Sequence, residues 1–184
     1  FSVKALLISL EAKGMGNQSN EGKILVYTGN GKGKTTASFG LAARALGRDM
    51  KVIILQFIKS PEFTYGEKIA LEKLGAQVEQ LGVGFTWTKT PEEHRAAVKS
   101  GQYDLIVLDE LNNALSIDAF PIDDVLPLAD VVETLKNKPD GTHIVVTGRD
   151  AKAEIKEIAD LVSVIEEEKH YYKDGVDAIY GIEY

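Results

Sequence analysis

Short apolar runs alternate with amphipathic segments along most of the chain. Runs rich in β-branched and aliphatic residues predict six strands, at Ile24–Thr28, Val52–Phe57, Val78–Leu81, Leu105–Asp109, Ile144–Thr147 and Leu161–Ile165. The segments between them predict helices at Lys34–Leu46, Glu67–Leu74, Glu92–Lys99, Val125–Asn137 and Lys152–Ala159. Because most of the strand runs are continuously apolar, they predict a largely parallel sheet that is covered on both faces.

The alternation of strands and helices predicts an α/β fold with a doubly wound sheet, whose ligands bind at the carboxyl ends of the strands. Gly47 and Gly75 follow two of the helices, and we expect both to end their helix in the left-handed conformation. Residues 23–184 have the length of one domain. Residues 1–22, which end in a Gly-, Asn- and Ser-rich linker, predict a separate arm. It is a native arm, a remnant of expression or a short helix that lies on the main domain.

Composition and charge exclude several classes of function and of site. The formal net charge of -7 argues against a nucleic-acid partner, which needs a basic face. The chain has no cysteine, which excludes disulfides, thiolate metal sites and a cysteine nucleophile. No stretch approaches the roughly 20 apolar residues of a membrane span. We therefore expect a cytoplasmic protein with no membrane partner.

A glycine-rich segment between the first strand and the first helix is the strongest local signal. It is typical of a phosphate loop, whose backbone N–H groups and helix N-terminus bind anions. Its candidate nucleotide-binding residues are Gly29, Asn30, Gly31, Lys32, Gly33, Lys34, Thr35 and Thr36. Lys34 would contact phosphate oxygens and the Thr35 hydroxyl would bind Mg²⁺. Thr28 stands where the full motif has glycine, and the alternative is a glycine-rich turn that binds nothing.

Two further strand ends carry charged side chains. The buried run Leu105–Asp109 delivers Asp109 and then Glu110 to the carboxyl edge, where Mg²⁺ bridging phosphates needs oxygen ligands. Arg149 follows another strand and could bind a phosphate with its guanidinium, or form a surface ion pair. Together these residues predict a nucleotide site.

The phosphate loop alone equally fits a kinase, an ATPase or a RecA-like motor. A motor is disfavoured because the chain has no second domain and no long basic surface for DNA. Gly82 and Gly84 precede Phe85 and Trp87, the only tryptophan. These aromatic side chains either line a site for a flat hydrophobic co-substrate or pack in the core.

Several motifs occur in the order found in the P-loop type of ATP:co(I)rrinoid adenosyltransferases, which the chain resembles from Lys23 to Tyr184. They are the segments Gly29–Gly47, Gln56–Lys59, Gly84–Trp87, Asp104–Leu111, Thr147–Arg149 and Ala159–Tyr184. The resemblance implies a RecA-like fold, a homodimer, and an N-terminal segment that closes over the site. It also implies transfer of the 5′-deoxyadenosyl group of ATP to cobalt(I) of a corrinoid, with release of triphosphate.

The same resemblance implies roles for individual residues. Lys34 and Arg149 would bind the triphosphate, and Thr35, Glu110 and Asp109 would serve Mg²⁺, with Mn²⁺ as an alternative ion. Phe85 and Trp87 are similar to the family's wedge, which packs against the corrin and displaces its lower axial ligand. The partners implied are ATP, cob(I)alamin or a precursor corrinoid, and an electron donor such as a reduced flavoprotein.

Two other functions stay open on the residues alone. One is a P-loop kinase or ATPase that acts at the γ-phosphate. The other is a corrinoid carrier or nucleotide-sensing module without turnover.

Overall fold

The fold is given by a computed structural model that describes residues 21–83, 86–87, 96–117 and 126–184. Its strands are Ile24–Thr28 (β1), Val52–Gln56 (β2), Gln77–Gln80 (β3), Gly82–Val83 (β4), Thr86–Trp87 (β5), Leu105–Asp109 (β6), His143–Thr147 (β7) and Leu161–Val164 (β8). Its α-helices are Lys34–Leu46 (α1), Gly66–Lys73 (α2), Leu111–Ala114 (α3), Leu128–Lys136 (α4) and Ala153–Ile158 (α5), and Tyr171–Asp174 is a 3₁₀ turn. Residues 96–99 are also helical.

Six strands form one parallel sheet in the order β3-β2-β6-β7-β1-β8, which confirms the predicted α/β class. The register places Gln56 of β2 beside Asp109 of β6, and Tyr27 of β1 beside Thr147 of β7. Strands of a parallel sheet end at the same edge, so β1, β2, β6 and β7 bring their last residues together. That edge is where the candidate site lies.

Apolar side chains from the two faces of the sheet form two separate core layers. On one face, the strand residues pack with α1 and α2 through Phe39, Ala42, Ala45 and Leu71. On the other face they pack with α3, α4 and α5 through Leu111, Val131, Leu135 and Ile155. The helices therefore cover both faces, which explains why β2 and β6 are buried along their whole length and apolar up to their last residue.

The outermost strand differs from the prediction of burial on both faces. In β8, Leu161, Val162 and Val164 are 43%, 40% and 58% exposed. This strand is bonded on one side to β1 and forms an edge of the sheet. Its apolar residues supply β propensity rather than core volume.

The two predicted glycine helix ends have different outcomes. Gly75 has φ +100°, and Ala76 donates its N–H to Leu71 O at 2.9 Å, so this left-handed end is confirmed. The prediction for Gly47 is wrong, because its φ of -65° is right-handed. There the chain makes tight turns after α1 and adopts a positive φ of 59° only at Asp49.

The remaining differences concern element bounds. The predicted helix Glu92–Lys99 is described only over its last four residues, and residue 125 of the predicted helix Val125–Asn137 lies outside the described part. The pairing of β4 with β5 was not predicted, since this segment was interpreted as a loop.

Within the described ranges, no helix combines the length and apolar character that crossing a membrane requires.

Candidate active site

A cavity of about 680 Å³ lies at the carboxyl edge of the sheet, in front of the glycine-rich loop. One wall consists of residues 32–36 of that loop and of the start of α1. Glu110 and Arg149, which follow β6 and β7, lie on the same cavity. The structure thus brings the predicted loop and two of the predicted charged side chains together.

Two glycines of the loop, Gly29 and Gly31, are required by close approach to a neighbouring segment. A Cβ on Gly29 would lie 2.4 Å from Ile165 O, and one on Gly31 would lie 2.5 Å from Glu166 O. Gly31 also donates its N–H to Ile165 O at 2.7 Å. The segment after β8 therefore supports the loop from behind, and Gly29, Asn30 and Gly31 do not line the cavity themselves.

Lys34 is the first residue of α1 and lies where the positive end of the helix dipole faces the cavity. Its ammonium donates to Gly31 O at 2.5 Å. Burial lowers the pKa of Lys34, and the neighbouring positive charge of Arg149 lowers it further. Two positive side chains on one cavity indicate a site for a multiply charged anion.

Asp109 is completely buried and joins three elements. Its Oδ1 accepts hydrogen bonds from the hydroxyls of Thr35 and Thr147, each at 2.8 Å, and its Oδ2 accepts from Gln56 Nε2 at 3.3 Å. Burial raises the pKa of Asp109, while the two threonine hydrogen bonds oppose that shift. Asp109 does not line the cavity, whereas Thr35, which donates a hydrogen bond to it, does.

Glu110 does line the cavity, and its backbone has the left-handed φ of 61°, which is uncommon for a residue other than glycine. Its N–H donates to the Thr147 hydroxyl at 2.9 Å. Burial and the charge of Asp109 raise the pKa of Glu110 to about 6. The neighbouring carboxylates of Asp109 and Glu110 therefore have different surroundings, one closed and one open to the cavity.

Arg149 is exposed, and its backbone is fixed by the turn after β7. Asn113 accepts the Arg149 N–H through Oδ1 at 2.9 Å. Gly148 before it has φ +127°, and a Cβ there would lie 2.4 Å from the same Asn113 oxygen. Only glycine fits this approach, so the geometry explains the glycine of the Thr-Gly-Arg sequence.

Lys59 and Glu67 form a cavity wall to which the sequence interpretation gave no role. The Lys59 ammonium forms an ion pair with Glu67 and lies 4.2 Å from the centre of the Tyr65 ring. Lys59 belongs to the motif Gln56–Lys59 that follows β2, so its position after a strand was the available signal.

Residues 181–184 of the C-terminal segment form the opposite wall. Lys32 of the loop forms an ion pair with Glu183 at 3.0 Å, and Tyr171 donates its hydroxyl to the same Glu183 oxygen. These two hydrogen bonds, with that from Tyr171 the larger influence, lower the pKa of Glu183. The sequence interpretation used this segment for the resemblance and missed its contact with the loop.

The oxygen donors present fit a magnesium ion that arrives with phosphates. The Glu110 carboxylate and the Thr35 hydroxyl face one cavity, and Thr35 gives its proton to Asp109, which leaves its lone pairs available. In the described part of the chain, no group of three or more His, Cys, Asp or Glu side chains could hold a metal alone. Protein sites for Mg²⁺ typically use one or two carboxylates and complete the shell with phosphates and water.

The predicted aromatic pair is not placed by the structure. Phe85 and the side chain of Trp87 lie outside the described residues, and only the backbone pairing of Trp87 with Gly82 is given. Their contact with a co-substrate therefore stays a prediction. The predicted arm of residues 1–22 is likewise outside the described residues up to residue 20.

Comparison with known proteins finds relatives along nearly the whole chain. Residues 20–184 match the family described as ATP:corrinoid adenosyltransferase BtuR/CobO/CobP. The corrinoid adenosyltransferase of Escherichia coli strain K12 is 38% identical over 179 residues, which cover 91% of this chain and 88% of that protein. The corrinoid adenosyltransferase CobA of Salmonella typhimurium strain LT2 is similar to the same extent. One from Sinorhizobium sp is 38% identical over 180 residues, covering 89% of this chain and 81% of that protein.

Proposed function

This chain belongs to the ATP:corrinoid adenosyltransferase family, and we propose that it transfers the 5′-deoxyadenosyl group of ATP to the cobalt of a corrinoid. The cobalt(I) ion attacks the 5′ carbon, the Co–C bond forms, and the C–O bond to the triphosphate breaks. Triphosphate leaves with the electron pair of that bond. The match to the family carries the transfer to a corrinoid, and a cavity in which a phosphate loop faces Glu110 and Arg149 supports the binding of ATP.

The protein's part in this reaction is alignment and charge stabilisation. Cobalt(I) is itself the nucleophile, so no general base is needed, and the attack requires the 5′ carbon to face the corrin in line with the leaving oxygen. Negative charge develops on the triphosphate as it leaves. Lys34, Arg149 and the N-terminus of α1 would stabilise this charge, which is supported by the position of both side chains on the cavity.

We further propose that Thr35 and Glu110 hold Mg²⁺, with Mn²⁺ as a substitute, and that Asp109 acts through its hydrogen bond to Thr35. The bound ion would neutralise phosphate charge and help to orient the triphosphate. Support comes from the two oxygen donors on the cavity and from the buried Asp109 behind them.

The aromatic wedge is a separate proposal, supported by the segment Gly84–Trp87 and its likeness to the family motif. Phe85 and Trp87 would pack against the corrin and displace its lower axial ligand, which eases reduction of Co(II) to Co(I). Trp87→Ala should leave ATP affinity nearly unchanged but sharply reduce adenosylation of cob(II)alamin under a weak reductant. Equal loss of activity with chemically prepared cob(I)alamin would show that the wedge role is wrong.

We also propose a reduced flavoprotein as electron donor, a homodimer as the assembly, and a lid role for residues 1–22. These proposals are supported by the resemblance to the family. Sedimentation analysis would test the dimer, and deletion of residues 1–22 would test the lid. The deletion should reduce turnover while leaving the fold of residues 23–184 intact.

The direct test of the function is a product analysis. The purified protein is mixed anaerobically with ATP, Mg²⁺ and chemically reduced cob(I)alamin, and the visible spectrum and the phosphate products are followed. A light-sensitive adenosylcobalamin spectrum with one equivalent of triphosphate is expected. ADP or orthophosphate without a spectral change would instead indicate a kinase or ATPase, and binding of both ligands without product would indicate a carrier or sensor.

A further inference from the structure

We propose that Thr147 is a positioning residue that sets the geometry of Asp109 and Glu110 and thereby the magnesium dependence of nucleotide binding. Its side chain is completely buried at the end of β7, between the phosphate loop and the end of β6. This inference rests on the proposed use of Mg²⁺ and ATP, but not on the transfer to a corrinoid.

The hydrogen bonds of Thr147 have only one consistent direction. The Glu110 backbone N–H can only donate, so at 2.9 Å the Thr147 oxygen is its acceptor. The single hydroxyl proton of Thr147 is then free for Asp109 Oδ1 at 2.8 Å. One side chain thus binds two successive residues, one through its backbone and the other through its carboxylate.

The contact with Glu110 fixes the point at which the chain turns from β6 towards α3. Glu110 has a left-handed φ of 61°, a conformation that non-glycine residues adopt only when the surroundings hold it. The Thr147 hydroxyl supplies the partner for the Glu110 N–H at this turn. The conformation determines the direction of the Glu110 side chain, which lines the cavity.

The contact with Asp109 reaches the phosphate loop. Asp109 Oδ1 accepts from Thr147 and from Thr35 at the same distance, 2.8 Å. Thr147 therefore fixes the carboxylate that orients the Thr35 hydroxyl. The two proposed oxygen donors of the magnesium site, on Thr35 and Glu110, are connected through this one threonine.

Removal of the hydroxyl tests this role. Thr147→Val keeps the shape of the side chain and removes both hydrogen bonds, whereas Thr147→Ser keeps the hydroxyl. Thr142→Val is the matched control, because Thr142 is also buried beside the start of β7 and donates its hydroxyl to Tyr103 O at 2.9 Å, away from the cavity. ATP affinity is measured by titration calorimetry over a range of Mg²⁺ concentrations and in the presence of EDTA.

The half-saturating Mg²⁺ concentration should rise by about tenfold in Thr147→Val, in line with the effect of residues that orient metal ligands. ATP affinity in EDTA should change by less than about twofold. Thr147→Ser should restore the wild-type magnesium dependence. Thr142→Val should lower the melting temperature but leave the half-saturating Mg²⁺ concentration unchanged. If Thr147→Val does not fold, Thr147→Ala, in which a water can reach the Glu110 N–H, should show the same rise.

An unchanged half-saturating Mg²⁺ concentration in folded Thr147→Val or Thr147→Ala would overturn the inference. A similar rise in Thr142→Val would also overturn it, because a general loss of stability would then explain the effect. These binding measurements do not depend on a corrinoid. If the wild-type protein forms no adenosyl-corrinoid, the proposed function fails while the role of Thr147 is still decided.

Discussion

The two walls of the cavity are built in different ways. The wall formed by the phosphate loop rests on buried groups: Asp109 and Thr147 are fully enclosed, and strands β6 and β7 fix them in register. The wall formed by residues 181–184 is largely exposed, with Ile182 63% and Tyr184 48% accessible. The contacts of that wall with the loop and with Tyr171 meet at one carboxylate, that of Glu183.

This difference indicates a division of tasks. Groups that stabilise a leaving triphosphate must be in place before the reaction, since their reorganisation would add to the barrier. The buried network satisfies that requirement, because its hydrogen bonds are protected from water. Ion pairs near solvent contribute little stability and are easily exchanged. The C-terminal wall is therefore suited to adjust to the ligand, and changes there should have smaller effects.

Lys34→Ala, a change in the wall formed by the phosphate loop, should have the largest effect on ATP affinity. The ammonium of Lys34 faces the cavity at the N-terminus of α1, and we expect ATP affinity to fall by at least about 100-fold, as for loss of a close charged partner. Titration calorimetry with ATP and Mg²⁺ measures the effect. Lys73→Ala, at an exposed position of α2, is the control and should bind normally. Normal ATP affinity in Lys34→Ala would show that the loop is not a phosphate site.

Glu110→Gln should stabilise the ligand-free protein, by an amount that depends on pH. The folded pKa of Glu110 is about 6, against an ordinary value of 4.5, so the folded state holds an extra proton between these pH values. Stability therefore falls as pH rises through this window, and the full cost is present above about pH 6. The shift corresponds to at most about 2 kcal/mol.

Thermal melting without Mg²⁺ or nucleotide measures this effect. The melting temperature of Glu110→Gln should exceed that of the wild type at about pH 7.5. This pH lies more than about one unit above the folded pKa of Glu110, so the wild-type carboxylate is ionised. The difference should disappear near pH 4, where Glu110 is protonated in both states. Glu154→Gln, on an exposed position of α5, is the control and should show no such trend. A lower melting temperature for Glu110→Gln at neutral pH would mean that the buried charge is stabilised by its neighbours.

The wall formed by the phosphate loop and the strand ends behind it is also the part that the sequence predicted best. All six strands of the main sheet were located to within about one residue at each end. For the central strands β2 and β6 the signal was a continuous apolar run, which a buried strand needs. Side chains that follow parallel strands must meet at one edge. This rule was enough to bring Glu110 and Arg149 to the loop.

The parts that sequence did not predict depend on contacts between distant residues. Nothing local indicates that the Thr147 hydroxyl joins Asp109 to Glu110, since many buried strands end in threonine. The ion pair of Lys32 with Glu183 depends on the path of the C-terminal segment across the cavity. The end of α1 at Leu46 was predicted correctly, but the left-handed conformation expected at Gly47 was wrong, because the positive φ occurs at Asp49 instead.

Glu183→Gln should have the smallest effect on ATP affinity. It tests the wall formed by residues 181–184. The glutamine keeps the size of the side chain and can still bond to Lys32 and Tyr171, but it removes a negative charge from a cavity proposed to bind triphosphate. ATP affinity should therefore rise about two- to threefold at low ionic strength. Salt at about 0.15 M reduces the Debye length to about 8 Å, so most of this gain should disappear there.

Asp174→Asn is the matched control for this variant, because Asp174 is an exposed carboxylate of the same segment that does not line the cavity. It should leave ATP affinity unchanged at both salt concentrations. Weaker ATP binding by Glu183→Gln would contradict the expectation. In that case the carboxylate would be needed to hold Lys32 at the cavity, and the C-terminal wall would belong to the fixed part of the site. A salt-independent gain would also contradict it, because the effect would then not come from the charge of Glu183.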